Sequence, residues 1–167
     1  TSADDSRSHS NVHEANFLAA LCRYLMLQGY RSSQITVLTM YTGQMFLLRR
    51  LLPKTEFSDL VVTPVDNYQG EENDIILLSL VRSNEEGQIG FLKTHNRVCV
   101  ALSRAKKGLF VVGNMDIFAD GSILWRAVVQ DLKREGRLVT ALPLACENHP
   151  ENVINARRAE DFKQAPE

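Results

Sequence analysis

The chain has 167 residues, 44% of them hydrophobic and 23% charged, which is material for one well-cored domain and too little for two. Nineteen basic residues against twenty acidic ones give a formal net charge of -1 at pH 7, which excludes a polycationic tail and leaves room for a local basic patch. Three cysteines, Cys22, Cys99 and Cys146, suggest no disulfide framework and, with no signal-peptide pattern, fit a reducing compartment; no apolar run reaches membrane-spanning length.

The first ten residues are small and polar and predict a flexible lead. From Val12 onward Phe17, Leu21, Leu25 and Gln28 recur at helical spacing, with Leu18, Cys22 and Met26 widening the apolar face and Gly29 at the stop. Ile35 to Tyr41 reads as a buried strand, Gln44 to Leu52 as a helix closed by Pro53, and Leu60 to Val65 as a second strand. After the turn-like DNYQGEEN comes Asp74 to Val81, apolar without alternation, as parallel strands covered on both faces are. RSNEEGQIG reads as a loop, Thr94 to Lys107 as a helix with Val98, Ala101, Leu102 and Ala105 on one face, and Leu109 to Val112 as a fourth strand. A last helix is expected from about Ser122 to Glu135, with Leu124, Val128 and Leu132 inward and Trp125 a further candidate for that side, and from Leu138 the periodicity is lost. Strands alternating with helices predict an α/β fold with a mainly parallel central sheet. Functional loops are then expected beyond the carboxyl ends of the strands, at 41–44, 66–72, 82–84 and 114.

Two clusters carry chemistry. Between two apolar strands, Asp66, Gln69, Gly70, Glu71, Glu72 and Asp74 offer carboxylates and an amide around a glycine that permits a tight turn; this suits a ribose, phosphate or metal-water contact, or simply a solvated turn. The spacing of those acids does not match a calcium loop. The second cluster is NRVCVALSRAKK at 96–107, where Arg97 and Arg104 are seven residues apart and so share one face of the predicted helix. Arginine's planar fork suits phosphate, and a solvated basic face is the plainer alternative. Ser103 lacks a nearby His–Asp grouping, and Cys146 with His149 supplies only two of the ligands zinc needs. No P-loop and no dinucleotide glycine fingerprint occur in the sequence, so a role with a nucleoside triphosphate requires a site shared with another domain.

VDNYQGEENDIILLSLVRSN at 65–84 resembles motif V of superfamily 1 helicases, and NRVCVALSRAKKGLFVVGN at 96–114 resembles motif VI. LTMYTGQ at 38–44, with Asn11 and Glu14 upstream, is similar to the motif IV region. The likeness covers about Asn11 to Trp125 and is to the second RecA-like domain of helicases resembling the up-frameshift helicase of nonsense-mediated decay. Within them it leans to zinc-finger-containing, interferon-linked antiviral RNA helicases. The resemblance implies a RecA-like three-layer sandwich over residues 11–137, a flexible lead at 1–10, and an extension toward a further domain at 138–167.

It also implies the motor half of an ATP-dependent RNA helicase or translocase. The Walker lysine and the Mg2+-binding acids would sit on a first RecA-like domain, so the 167 residues alone are expected to be inactive. Carried over residue by residue, Arg104 is the arginine finger, with Arg97 and Gln69 in the catalytic cleft. Gln44, Gly70 and Glu72 belong to the ATP surround, and Thr63, Pro64 and Asp66 to the path of single-stranded RNA, DNA not being excluded. A metal site is expected nowhere inside the domain, with Cys146 and His149 as Zn2+ ligands only together with residues further on. The implied location is cytoplasmic, with the nucleus also open. The chain departs from the family in Gly70-Glu71-Glu72-Asn73-Asp74, where basic residues are usual, in Met45, where some relatives carry arginine, and in Cys99, where asparagine is common. A helicase-derived module that binds RNA or protein without hydrolysis is the alternative.

Overall fold

A run of apolar and β-branched residues without polar alternation is stable as a strand only when both of its faces are covered. Ile35–Thr39 (β1) is such a run, and all five residues are fully buried. In the computed structural model, which describes residues 10–81, 88–113, 120, 123–146 and 149–164, β1 lies inside a four-stranded sheet. Its neighbours are Val61–Pro64 (β2) and Asn73–Ser79 (β3), and Ala105–Val112 (β4) lies beyond β3, every pairing being parallel. Pro64, which has no N–H to give a ladder, ends the edge strand β2.

Helices α1 (Val12–Leu27) and α2 (Thr42–Leu51) pack on each other, α1 on β3 and α2 on β1 and β2. Helix α3 (Gln88–Leu102) packs instead on β4 and on a single 3-10 turn, Val65–Tyr68. Right-handed crossovers that leave the centre of a sheet in opposite directions put their helices on opposite faces, so the layers are helix, sheet, helix, as in a RecA-like sandwich. Helix α1 starts at an Asn11 cap whose side chain accepts the Glu14 N–H at 3.0 Å, and ends where Gly29 and Tyr30 donate back to Met26 and Leu25. Arg23 joins α1 to the carbonyl end of α2, donating to the Leu51 carbonyl at 2.7 Å with its guanidinium 5.3 Å from the Phe57 ring centroid.

The connection from β2 to β3 is the 3-10 turn and four more residues, passing across β1 without a helix of its own. The order therefore reverses between β1 and β3, where open α/β sheets usually leave a crevice. Here the chain fills that place itself, with the start of α1 and the first turn of α2.

Expectations change at four places, the first being the start of α3 at Gln88, inside the stretch read as a loop. The helix expected through Lys107 stops at Leu102, because Ser103 N–H and Arg104 N–H tighten onto Val100 and Ala101, and Ala105 already pairs with Asn73 in the sheet. Arg97 and Arg104 thus do not share a helical face; Arg104 stands in the turn between α3 and β4. The last helix, α4 (Ile123–Arg134), buries Trp125 and Val129 with Leu132 half-buried, and leaves Leu124 and Val128 exposed, so of the residues expected inward Trp125 is buried and those two are not. The stretch from Leu138, expected to be irregular, contains an antiparallel hairpin of Leu142–Cys146 (β5) and His149–Ala156 (β6).

The described chain forms two compact units, divided between Asn114 and Met115. The second holds α4, the hairpin and a 3-10 turn at Ala159–Gln164, where the Asp161 carboxylate accepts from the N–H groups of Arg157 and Arg158. No helix among the described residues is long and apolar enough to cross a membrane.

Candidate functional site

The residues singled out by sequence separate into two groups at opposite ends of the sheet. At the carboxyl end, Arg97 on α3 donates through Nε and an Nη to both carboxylate oxygens of Asp66, at 2.9 and 2.5 Å, and more loosely to the Met40 carbonyl at 3.4 Å. This fork ties the motif VI helix to the motif V turn and to the exit of β1, a planar pairing that a lysine could not reproduce. Asp66 is thereby engaged in an ion pair while its side chain stays half exposed. Thr63 and Pro64 lie beside it at the end of β2, partly exposed, in register with Leu38 and Thr39.

Gln44 belongs to the same end and is fully buried. Its Oε1 accepts from the Asn11 N–H at 2.8 Å, and its Nε2 donates to the Asn11 carbonyl at 3.0 Å and to Ser79 Oγ at 3.1 Å. The amide expected in the ATP surround thus fastens the start of α1 to the end of β3. Ser79 Oγ donates to Glu14 Oε2 at 2.8 Å, and the Val81 N–H donates to the same oxygen at 3.2 Å. Burial pushes the Glu14 carboxyl above its usual range, and these two bonds with nearby His13 pull it partly back. Val81 has φ 42°, a left-handed conformation that a β-branched residue rarely adopts. Sequence gives no sign of Ser79 and Val81 as site residues, since both read as ordinary strand.

At the amino end stand Gln69, Gly70, Glu72 and Arg104. Gly70 has φ 78°, and a methyl group added to its Cα would meet nothing within 4 Å, so the turn's conformation, not crowding, calls for glycine. Gln69 and Glu72 are exposed, and Glu72 pairs with Lys106 Nζ at 3.1 Å. Two residues on, Asp74 accepts from Gln34 at 3.1 Å and faces Lys107 at 3.6 Å; the Gln34 bond first, then the lysines, hold its carboxyl below the usual range. The Arg104 carbonyl accepts the Asn73 N–H at 3.1 Å. Its side chain is partly buried, and its Nε is buried with no hydrogen-bond partner among the described residues. A buried guanidinium N–H without an acceptor is a costly arrangement unless an anionic oxygen completes it, and a phosphate oxygen is such an acceptor.

The hairpin sets Cys146 opposite His149, although their side chains lie outside the described residues. No group of three or more potential metal ligands occurs among the described residues, and two donors fall short of the four that a structural zinc takes.

A parallel β2-β1-β3-β4 sheet between helical layers, with the motif V crossover and with motif VI running from α3 into β4, defines a RecA-like domain of the superfamily 1 helicase class. The family model described as AAA domain matches residues 1–116, and the chain belongs to that family. It is 52% identical over 163 residues to NFX1-type zinc finger-containing protein 1 of Homo sapiens, covering 98% of this chain and 8% of the relative. It is 42% identical over 135 residues to "Helicase required for RNAi-mediated heterochromatin assembly 1" of Schizosaccharomyces pombe, 79% of this chain and 14% of the relative. Regulator of nonsense transcripts 1 of Dictyostelium discoideum is 33% identical over 138 residues, 79% of this chain and 10% of that protein. The chain thus spans a small part of the relatives it matches.

Proposed function

We propose that this chain is the second motor domain of an ATP-dependent RNA helicase or translocase, running from residue 11 to 137 with 138–167 leading toward a further domain. Arg104 is its arginine finger. The observation that carries the reading is the buried Arg104 Nε without an acceptor among the described residues, in a turn whose backbone is pinned on both sides. A first RecA-like domain of the same protein supplies the nucleotide's other wall, and Mg2+ held there neutralises charge on the phosphate oxygens. Gly70 and Glu72 face the nucleotide at the amino end of the sheet, with Gln69 beside them. An arginine that reaches the γ-phosphate only when the two domains close favours the transition state over the bound substrate.

At the other end, Thr63, Pro64 and the Arg97–Asp66 pair border the path of a single strand. Contact there is to the backbone, since a motor that moves over any sequence cannot depend on base edges. The printed name of one relative, RNA helicase aquarius of Mus musculus, supports RNA as the substrate class. The test is single-turnover and steady-state ATP hydrolysis by the full-length protein, wild type against Arg104→Ala, with and without single-stranded RNA. The expected result is a loss of at least about 10²-fold in the chemical step with nucleotide affinity largely kept. Equal turnover overturns the finger assignment, and a wild-type protein that binds RNA yet never hydrolyses ATP points to the binding module instead.

A further inference from the structure

The join between β3 and β4 is irregular next to Arg104. Asn73 is in register with Ala105, but Ile75 is in register with Gly108, so β4 carries one extra residue over that interval. Bulges are rare in parallel pairs, and where they occur they redirect the chain and often stand beside functional groups. This one lets the adjacent Lys106 and Lys107 reach Glu72 and Asp74, acids two residues apart, which neighbouring residues of a regular strand would face from opposite sides.

Asn73 sits at the origin of the bulge, and its side chain is fastened three ways. Its side-chain Nδ2 donates to the Ser33 carbonyl and to Thr36 Oγ1, both at 3.0 Å, and its Oδ1 accepts the Asp74 N–H at 2.8 Å. Thr36 Oγ1 in turn shares a hydrogen bond with the buried Tyr68 hydroxyl at 3.2 Å, beneath the motif V turn. Anchored in this way to β1 and to the segment before it, Asn73 directs its own N–H at the Arg104 carbonyl, 3.1 Å away. From the other side, Arg104 N–H is held by Ala101, and Ser103 Oγ donates to Val100 at 2.7 Å.

We infer that Asn73 is a positioning residue for Arg104: its amide fixes the strand origin whose N–H sets the height and direction at which the arginine leaves the sheet. The inference deepens the assignment of Arg104 made above and rests on it. Truncating the amide leaves the backbone bond in place but frees its donor to drift, and a displacement near 1 Å at a reacting group costs up to about 10²-fold in rate.

The experiment is a double-mutant cycle in the full-length protein: wild type, Asn73→Ala, Arg104→Ala and the double variant, in single-turnover hydrolysis with saturating single-stranded RNA. Asn73→Ala is expected to lower the chemical step by roughly 10- to 100-fold with nucleotide affinity kept within about twofold. On the Arg104→Ala background the same change is expected to cost nothing further. Asn73→Asp, which keeps the shape and the acceptor but loses both donors, should match Asn73→Ala; wild-type rates in Asn73→Asp overturn the inference, and so does an additive loss in the double variant. If Arg104→Ala alone hydrolyses like wild type, the finger assignment is what fails. Amide hydrogen exchange over residues 103–107 then decides about Asn73: faster exchange in Asn73→Ala at an unchanged melting midpoint supports the positioning role, and unchanged exchange overturns it.

Discussion

Glu14 is a carboxylate in the core, and its charge rests on the Ser79 hydroxyl and the Val81 N–H. Because its native carboxyl titrates above the unfolded value of 4.5, the folded chain binds the proton more readily than the unfolded chain does. The Glu14 contribution to stability therefore falls as pH rises from 4.5 through the raised native value, and the cost is fully present above it. A Glu14→Gln variant keeps an acceptor for both donors and has no charge to bury. Its urea midpoint relative to wild type is expected to improve between pH 4.5 and about pH 7; a pH-independent difference would show that the carboxyl is not the source. Gln44 makes the complementary case, with both ends of its amide committed. Gln44→Leu leaves the Asn11 backbone and Ser79 without those partners and should cost about 2–3 kcal/mol in denaturant unfolding. A loss below about 0.5 kcal/mol would mean that water replaces the amide. Cysteine reactivity should divide in the same way: Cys99 is exposed, whereas burial raises the Cys22 thiol to about 12. Brief alkylation of the folded chain followed by peptide mapping is expected to label Cys99 and spare Cys22.

Among the elements, glycines test two different constraints. Gly70→Ala meets open space and should cost only the left-handed backbone, about 1–2 kcal/mol. Gly113→Ala, at φ 149°, also drives a methyl to 2.6 Å from Leu80 Cβ, so it should cost more than Gly70→Ala in the same urea titration; the reverse order would contradict the packing between Leu80 and the end of β4. The four strands of the sheet are legible in sequence because β1 and β3 are unbroken apolar runs that only a two-sided core accepts. The end of α3 is not, since Ser103 to Lys107 continue a helix-compatible pattern and only the pairing of Ala105 with Asn73 turns them into strand. Likewise the inner face of α4 falls on Trp125 and Val129 and not on Leu124 and Val128, because all four are apolar and periodicity alone cannot rank them. Among the candidate site residues, Arg97, Arg104, Gly70 and Glu72 are singled out in sequence by the motifs they sit in. That they stand at two ends of the sheet is not, because motif spacing carries no record of which way a crossover runs. Asn73 can be noticed only as a polar residue opening a buried strand.

For the molecule as a whole, the two units differ in how much they enclose. The first has a sheet whose central strands are covered on both faces, while the buried apolar residues described in the second are Trp125, Val129, Leu144 and Ala156. A smaller core leaves less margin against conformational entropy. Trp125 is the chain's single tryptophan, so its emission reports the second unit, whereas far-ultraviolet circular dichroism reports both. In urea the tryptophan transition is expected at the lower midpoint, and coincident transitions would show one cooperative structure. The passage from β2 to β3 has a different kind of consequence. Val65 to Glu72 is a bridge of fixed span, with Asp66 held by Arg97 at one bank, and Tyr68 and Asn73 bonded to Thr36 toward the other. Surface connections ordinarily absorb insertions over evolutionary time, but one residue more or less in this bridge would unseat an abutment. Length variation among related chains should therefore collect elsewhere, and this crossover should keep its residue count even where its side chains change.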